Sequence, residues 1–147
     1  LISRIREQAN NLLVAELAKS GHAGLAPSHG AILHALAERG PMPMSALAEA
    51  IGKQKNTVTT LVGKLEQAGY VLKTPSHEDS RVTLVSLSAK AVAAGPDFAA
   101  ISQILLSAVW ADMPQAEREA LVLGLEKVLR NISGKPSAEQ NISTLPH

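Results

Sequence analysis

The stretch that most restricts how this chain can fold runs from Lys53 to Ser88, KQKNTVTTLVGKLEQAGYVLKTPSHEDSRVTLVSLS. In its first part Val58, Leu61, Val62, Leu65 and Ala68 recur at the spacing of a helix that packs one face on a core. The opposite side carries Asn56, Thr59, Thr60, Gly63 and Lys64, with Lys55 and Gln67 at its margins. Short hydrogen-bonding groups and cations surround one residue with no side chain, a surface suited to close approach. Gly69 supplies the left-handed stop expected just past a helix end. Tyr70 to Thr74 and Val82 to Leu87 are rich in Val, Leu and Thr and suit strands, with the polar segment Pro75 to Ser80 as the tip between them. The pattern predicts a DNA-recognition helix at about 54–68 followed by a wing at about 70–87.

The preceding segments supply the rest of a head. Residues 1–20 read as a helix with Ile2, Ile5, Ala9, Leu12, Leu13 and Leu17 on one stripe, ended by Gly21 and Gly24. A second helix starts near Pro27, a good first-turn residue, and runs to about Arg39. The segment PMPM allows only a bridge or a tiny edge strand. A short third helix follows from about Ser45 to Ile51 and closes at Gly52. Periodicity alone equally allows a plain helical hairpin in a small bundle. The ribbon that follows turns the reading toward a winged helix.

Ser88 is placed to cap a further helix over 89–111, in which Pro96 predicts a kink or break near Gly95. Its apolar positions are Val92, Phe98, Ile101, Leu105, Ala108 and Val109. Met113-Pro114 restarts the chain into a last helix, with Leu121, Leu125, Val128, Leu129 and Ile132 in register. The end helices carry more apolar stripe than a small head needs, so a second copy is expected against them. Ile2, Ile5, Leu12, Leu105, Leu121, Leu125, Val128 and Leu129 are the dimerisation candidates. The expected class is mainly α with a small β-wing: a winged helix-turn-helix head plus long dimerisation helices. The expected divisions are a dimerisation helix at 1–20, a DNA-binding domain at 25–88, dimerisation helices at 89–132, and a polar tail at 133–147 without order of its own.

Charge supports a polyanionic partner. The net charge is only +1, yet residues 53–90 hold six cations against three anions, while 91–132 hold three against five. A local basic surface suits double-stranded DNA better than a membrane or an acidic small substrate. One each of Trp, Tyr and Phe leaves no aromatic platform for stacking single strands. With no cysteine, disulfides, thiolate metal sites and thiol redox sensing are excluded. His29 and His34 lie about 140° apart around a helix and share no face, so no metal site is expected. No apolar run approaches the roughly 18 residues of a membrane span, and no signal peptide opens the sequence, so a cytoplasmic protein is expected. No motif for nucleotide binding, metallohydrolysis or serine hydrolysis occurs, so neither an enzyme nor a cofactor is expected.

Within the wing tip, Asp79 and Arg81 lie two apart, so in an extended chain they point to the same side. The carboxylate can then hold the guanidinium by charge-assisted hydrogen bonds and aim it outward. A plain solvated ion pair, contributing about 0–1 kcal/mol, is the alternative.

Three fragments in order, LAPSHGAILHALAERGPMPMSALAEAIG, NTVTTLVGKLEQAGYV and DSRVTLVSLS, resemble the MarR family of winged-helix bacterial transcription regulators across essentially residues 1–132. The last fits the family's wing signature at Asp79, Arg81, Leu87 and Ser88. The resemblance implies a homodimer that binds a pseudo-palindromic operator, one recognition helix per half-site in the major groove. It implies phosphate contacts from Gln54 and Lys55 at the helix start. Asn56, Thr57, Thr59, Thr60 and Lys64 would face base edges or flanking sugar-phosphate. Arg81 would reach the minor groove, with Lys73 and His77 nearby. A winged helix used only for protein contacts is the rival reading. Many relatives are released by small, often phenolic, anions bound between the dimerisation helices and the head. In this chain that crevice would involve the first, second and fifth helices, with His22 and His29 as candidate liners for a small aromatic or anionic effector. The sequence departs from family habit at Thr60 and Ser80, where long basic residues are common.

Overall fold

A computed structural model describes residues 1–134. The described elements are α1 (Ile2–Lys19), α2 (Pro27–Arg39), β1 (Met42–Pro43), α3 (Met44–Ile51), α4 (Lys55–Gln67), β2 (Val71–Pro75), β3 (Thr83–Leu87), α5 (Ala89–Val109) and α6 (Gln115–Ile132). The class is the expected one, mainly helical with a small antiparallel wing. The chain divides into one compact unit over Leu1–Leu106 and a second that begins at Ser107. The tail expected at 133–147 lies outside the described residues from 135 onward.

The first unit is built around α4. Val58, Val62 and Leu65 are fully buried, and Ile32, Leu47, Val71 and Val85 complete the innermost layer. Burying each such side chain contributes about 1.5–3 kcal/mol, so this stripe fixes which face of α4 turns outward. Leu61 is only half-buried and Ala68 is exposed, because the helix ends at Gln67. Gly69 sits at φ 83°, where a side chain would be strained. Its N–H donates to the Glu66 carbonyl at 3.0 Å, and the Tyr70 N–H donates to that of Leu65 at 2.9 Å. These are the two bonds of a Schellman stop, which turns the chain directly from α4 into the wing.

The sheet has the order β1-β3-β2, all antiparallel, with Met42 opposite Val85 and Val71 opposite Leu87. The PMPM segment is thus an edge strand, a place where Pro43 costs no ladder bond. The wing's second strand begins at Thr83, not Val82. Residues 80–82 form a turn in which the Val82 N–H donates to the Asp79 carbonyl at 2.9 Å. Ser88 caps α5: its hydroxyl accepts from the Ala91 N–H at 3.2 Å and itself donates to the Gly69 carbonyl.

Of the kink or break expected near Gly95, the break does not occur, and the inward place expected for Val92 is not found. The helix runs through Pro96 without a break. Proline removes the bond to the Val92 carbonyl, and both residues are exposed in the single chain, so the loss falls outside the packed face of the helix. The inward face is Ala91, Ala94 and Ile101 with half-buried Phe98, whereas Val92 is exposed. This helix is also long and apolar enough, by composition, to cross a membrane, contrary to the expectation that no segment would be. Its inner residues nevertheless pack on the core of the first unit.

In the second unit α6 buries no residue at all in the single chain. Leu121, Leu125, Val128, Leu129 and Ile132 are exposed. Ile2 and Ile5 on α1 are exposed as well, while Leu12 and Leu105 are half-buried.

Candidate nucleic-acid interface

Because Val58, Val62 and Leu65 fill the core, Gln54, Lys55, Asn56, Thr57, Thr59, Thr60 and Lys64 are all exposed. Gln54 is the residue just before the helix and makes no side-chain capping bond, which leaves its amide available. The other short polar groups are already committed locally. The Thr59 hydroxyl donates to the Lys55 carbonyl at 2.8 Å, and the Thr60 hydroxyl to the Asn56 carbonyl at 3.1 Å. The Asn56 carboxamide oxygen accepts from the Thr57 N–H at 2.8 Å. Lys55 and Lys64 form no ion pair among the described residues.

At the wing tip Arg81 and Asp79 meet as expected, but a turn brings them together instead of strand alternation. Asp79 Oδ1 accepts from the Arg81 backbone N–H at 3.0 Å and from Nε at 3.2 Å, while Nη2 donates to Oδ2 at 3.4 Å. These bonds hold the Asp79 carboxyl below its ordinary range, the backbone N–H contributing most and the guanidinium next. The Arg81 side chain remains 90% exposed. His77 is exposed at the same tip. Lys73 is not a free cation, since its Nζ lies 3.0 Å from Glu66 Oε2 on α4. Its charge is partly spent within the protein. Lys90 is likewise committed, donating to the Ala68 carbonyl at 2.8 Å and lying 4.4 Å above the Tyr70 ring.

Neither histidine expected in an effector crevice lines the cavity found among the first, second and fifth helices. A space of about 780 Å³ opens between α1, α2 and α5. Leu13, Leu17, Leu25, Leu33, Phe98 and Ile101 supply most of its wall, Leu87 and Ala91 its edge, and His34 and Ser102 its polar groups. His22 lies elsewhere because both its ring nitrogens are engaged. Nδ1 is 2.7 Å from the Tyr70 hydroxyl and Nε2 is 2.9 Å from Asp97 Oδ2. With the Asp97 carboxylate accepting from Nε2–H, Nδ1 is the acceptor for a protonated Tyr70 hydroxyl. Burial raises the Tyr70 pKa, which keeps that proton in place.

His29 is turned to the start of its own helix. Its Nδ1 accepts from the Ala26 N–H at 2.9 Å, half of a capping box. The neutral ring therefore carries its proton on Nε2, which is buried without a partner. Burial lowers the His29 pKa, and the charge of Lys64 lowers it further. Tyr70, Asp97, His34 and Ser102 are site residues that sequence reasoning missed. Only Tyr70, directly after the Gly69 stop, had any local signal.

Residues 25–83 match the profile of the MarR family. A solved structure of a probable transcriptional regulator from Pseudomonas aeruginosa is 28% identical, with a TM-score of 0.70 over 87% of this chain and 96% of that one. A mutant MarR from E. coli complexed with operator DNA is 20% identical, with a TM-score of 0.76 over 88% and 91%. The organohalide-sensing regulator RdhR in its 2,4-dichlorophenol-bound form is 23% identical, with a TM-score of 0.80 over 99% and 85%. No curated protein sequence matches the chain.

Proposed function

We propose that the chain, whose residues 25–83 match the MarR family of transcriptional regulators, is a DNA-binding regulator of that family that acts as a cytoplasmic homodimeric repressor. On this reading α4 enters the major groove of each half-site of a pseudo-palindromic operator, and the wing reaches the flanking minor groove. Gln54 and Lys55 contact phosphate at the positive end of the α4 dipole. Asn56, Thr57, Thr59, Thr60 and Lys64 face bases or the adjoining backbone. Arg81 inserts at the minor groove with His77 beside it, and Lys73 adds a partly neutralised charge. The observation that carries the reading is the outward face of α4, polar and cationic over a fully buried inner stripe, on a head whose wing presents an Asp79-held Arg81.

Dimerisation rests on the exposed apolar residues of α1 and α6. Ile2 and Ile5 on α1, and Leu121, Leu125, Val128 and Leu129 on α6, are exposed, with Leu12 and Leu105 half-buried, and large apolar side chains left uncovered in this way suit a protein partner. The cavity between α1, α2 and α5 is the proposed effector site. Its wall suits an apolar aromatic body, and the chlorophenol bound by the RdhR relative is of that kind. Occupation of the cavity would release DNA.

Selection of bound fragments from genomic DNA tests the function directly. The expected result is one enriched pseudo-palindrome with half-sites about one helical turn apart. Recovery of no sequence, with no salt-dependent binding, would leave the winged helix as a protein-contact module. Light scattering is expected to give twice the mass of the chain, and Leu125→Glu to reduce it to that of one chain.

A further inference from the structure

We infer that Thr59 and Thr60 make α4 a reader of thymine C5-methyl groups, an inference that rests on the operator-binding reading above. A threonine that donates to a base needs its hydroxyl hydrogen free. Both of these hydrogens are spent on carbonyls of their own helix, at 2.8 Å and 3.1 Å. What each side chain still offers outward is a methyl group and an acceptor lone pair. Both residues are exposed, so no part of the first unit uses those methyls. Two consecutive threonines are also poorer helix formers than alanine by a few tenths of a kcal/mol each, so they do not serve the helix.

The major groove contains one apolar group among the four base pairs, the methyl of thymine, and a threonine methyl is one of its recognised contacts. Guanine, by contrast, is read mainly by bidentate Arg or Lys; this face has no arginine, and its cations Lys55 and Lys64 lie one turn to either side of the threonine pair. Asn56 has one oxygen lone pair engaged by the Thr57 N–H, which leaves its amide hydrogens for acceptors such as thymine O4 or adenine N7. Gly63, on the next turn of the same face, supports close approach. A Cβ built there meets no atom within 4 Å, so packing inside the chain does not require the glycine. The two outward threonine methyls next to a missing side chain fit half-sites in which thymines lie opposite Thr59 and Thr60.

The test uses the full chain and the operator duplex recovered by selection, with each half-site dT replaced in turn by dU, which deletes the methyl and keeps the pairing. Anisotropy titrations are expected to show, at one or two positions per half-site, about a fourfold loss of affinity per replacement, equivalent to about 0.8 kcal/mol for one buried methyl. Thr59→Ser or Thr60→Ser keeps the back-bonding hydroxyl and deletes the protein's methyl. Each serine variant should bind the dT operator more weakly by a similar factor and become insensitive to dU at its own position. Salt-dependent operator binding with no sensitive dT, or dU losses undiminished in both serine variants, overturns the inference and leaves the DNA-binding reading standing. Absence of salt-dependent binding to any duplex overturns both.

Discussion

The Nδ1 of His22 lies 2.7 Å from the hydroxyl of Tyr70, so the turn after α1 is tied to the residue between the Gly69 stop of α4 and the start of β2. The same ring reaches Asp97 on α5 through Nε2 and packs its face 5.0 Å from the Phe98 centroid. Tyr70→Phe deletes the hydroxyl and leaves a buried acceptor without its donor. The expected loss is about 1–3 kcal/mol of unfolding free energy. A urea midpoint unchanged in the variant would show that this bond contributes nothing to the head.

His29 predicts an acid limit on stability. Its folded pKa lies below the ordinary value of 6.5, through burial and then through Lys64. The unfolded chain therefore binds the proton more readily, and stability falls as pH drops through the unfolded value toward the folded one. Protonation also places hydrogen on Nδ1, which now accepts the Ala26 N–H. His29→Gln retains an acceptor for that N–H and cannot titrate. Denaturation midpoints of the variant are expected to vary less with pH in the acid range below 6.5 than those of the wild type.

At the wing the charge and its orientation separate experimentally. Arg81→Ala and Lys64→Ala should each weaken operator binding and reduce the salt slope by about one, if each neutralises one phosphate. Asp79→Asn keeps the cation but removes the charge that orients it. Its expected signature is weaker operator binding with an unchanged melting temperature, because the pair is solvent-exposed. An anisotropy titration over a salt series, with calorimetry alongside, distinguishes the two effects.

Gly63→Ala should move stability and binding in opposite directions. The added methyl meets nothing within 4 Å in the chain. Alanine is the better helix former by about 1 kcal/mol, so the melting temperature should rise. Operator affinity should fall, because the same methyl occupies the space through which the groove approaches. A variant that is both more stable and equally tight would place Gly63 outside the interface.

The sequence made legible what depends on near neighbours. The inward stripe of α4, the Gly69 stop and the Asp79–Arg81 pair all follow from residues a few positions apart. What it hid depends on distance along the chain. His22 meets partners 48 and 75 positions away, so nothing local marks it as a strut. Lys73 reads as a free cation until the fold brings Glu66 to it. On α5 the larger side chain misled: Val92 looks like core, but the close contact is made by Ala91 and Ala94, whose small size carries no signal of direction. The unbroken passage through Pro96 is of the same kind, since only the fold shows that Pro96 and Val92 lie off the packed face.

The short segment from Leu87 to Ala91 faces two ways. Leu87 and Ala91 line the cavity, while Ser88 and Lys90, between them, grip the carbonyls of Gly69 and Ala68 at the end of α4. The segment is therefore a fulcrum a single turn wide, with the cavity on one arm and the recognition helix on the other. On the proposed effector reading, a guest that spreads the cavity wall would press on the same turn that holds the end of α4.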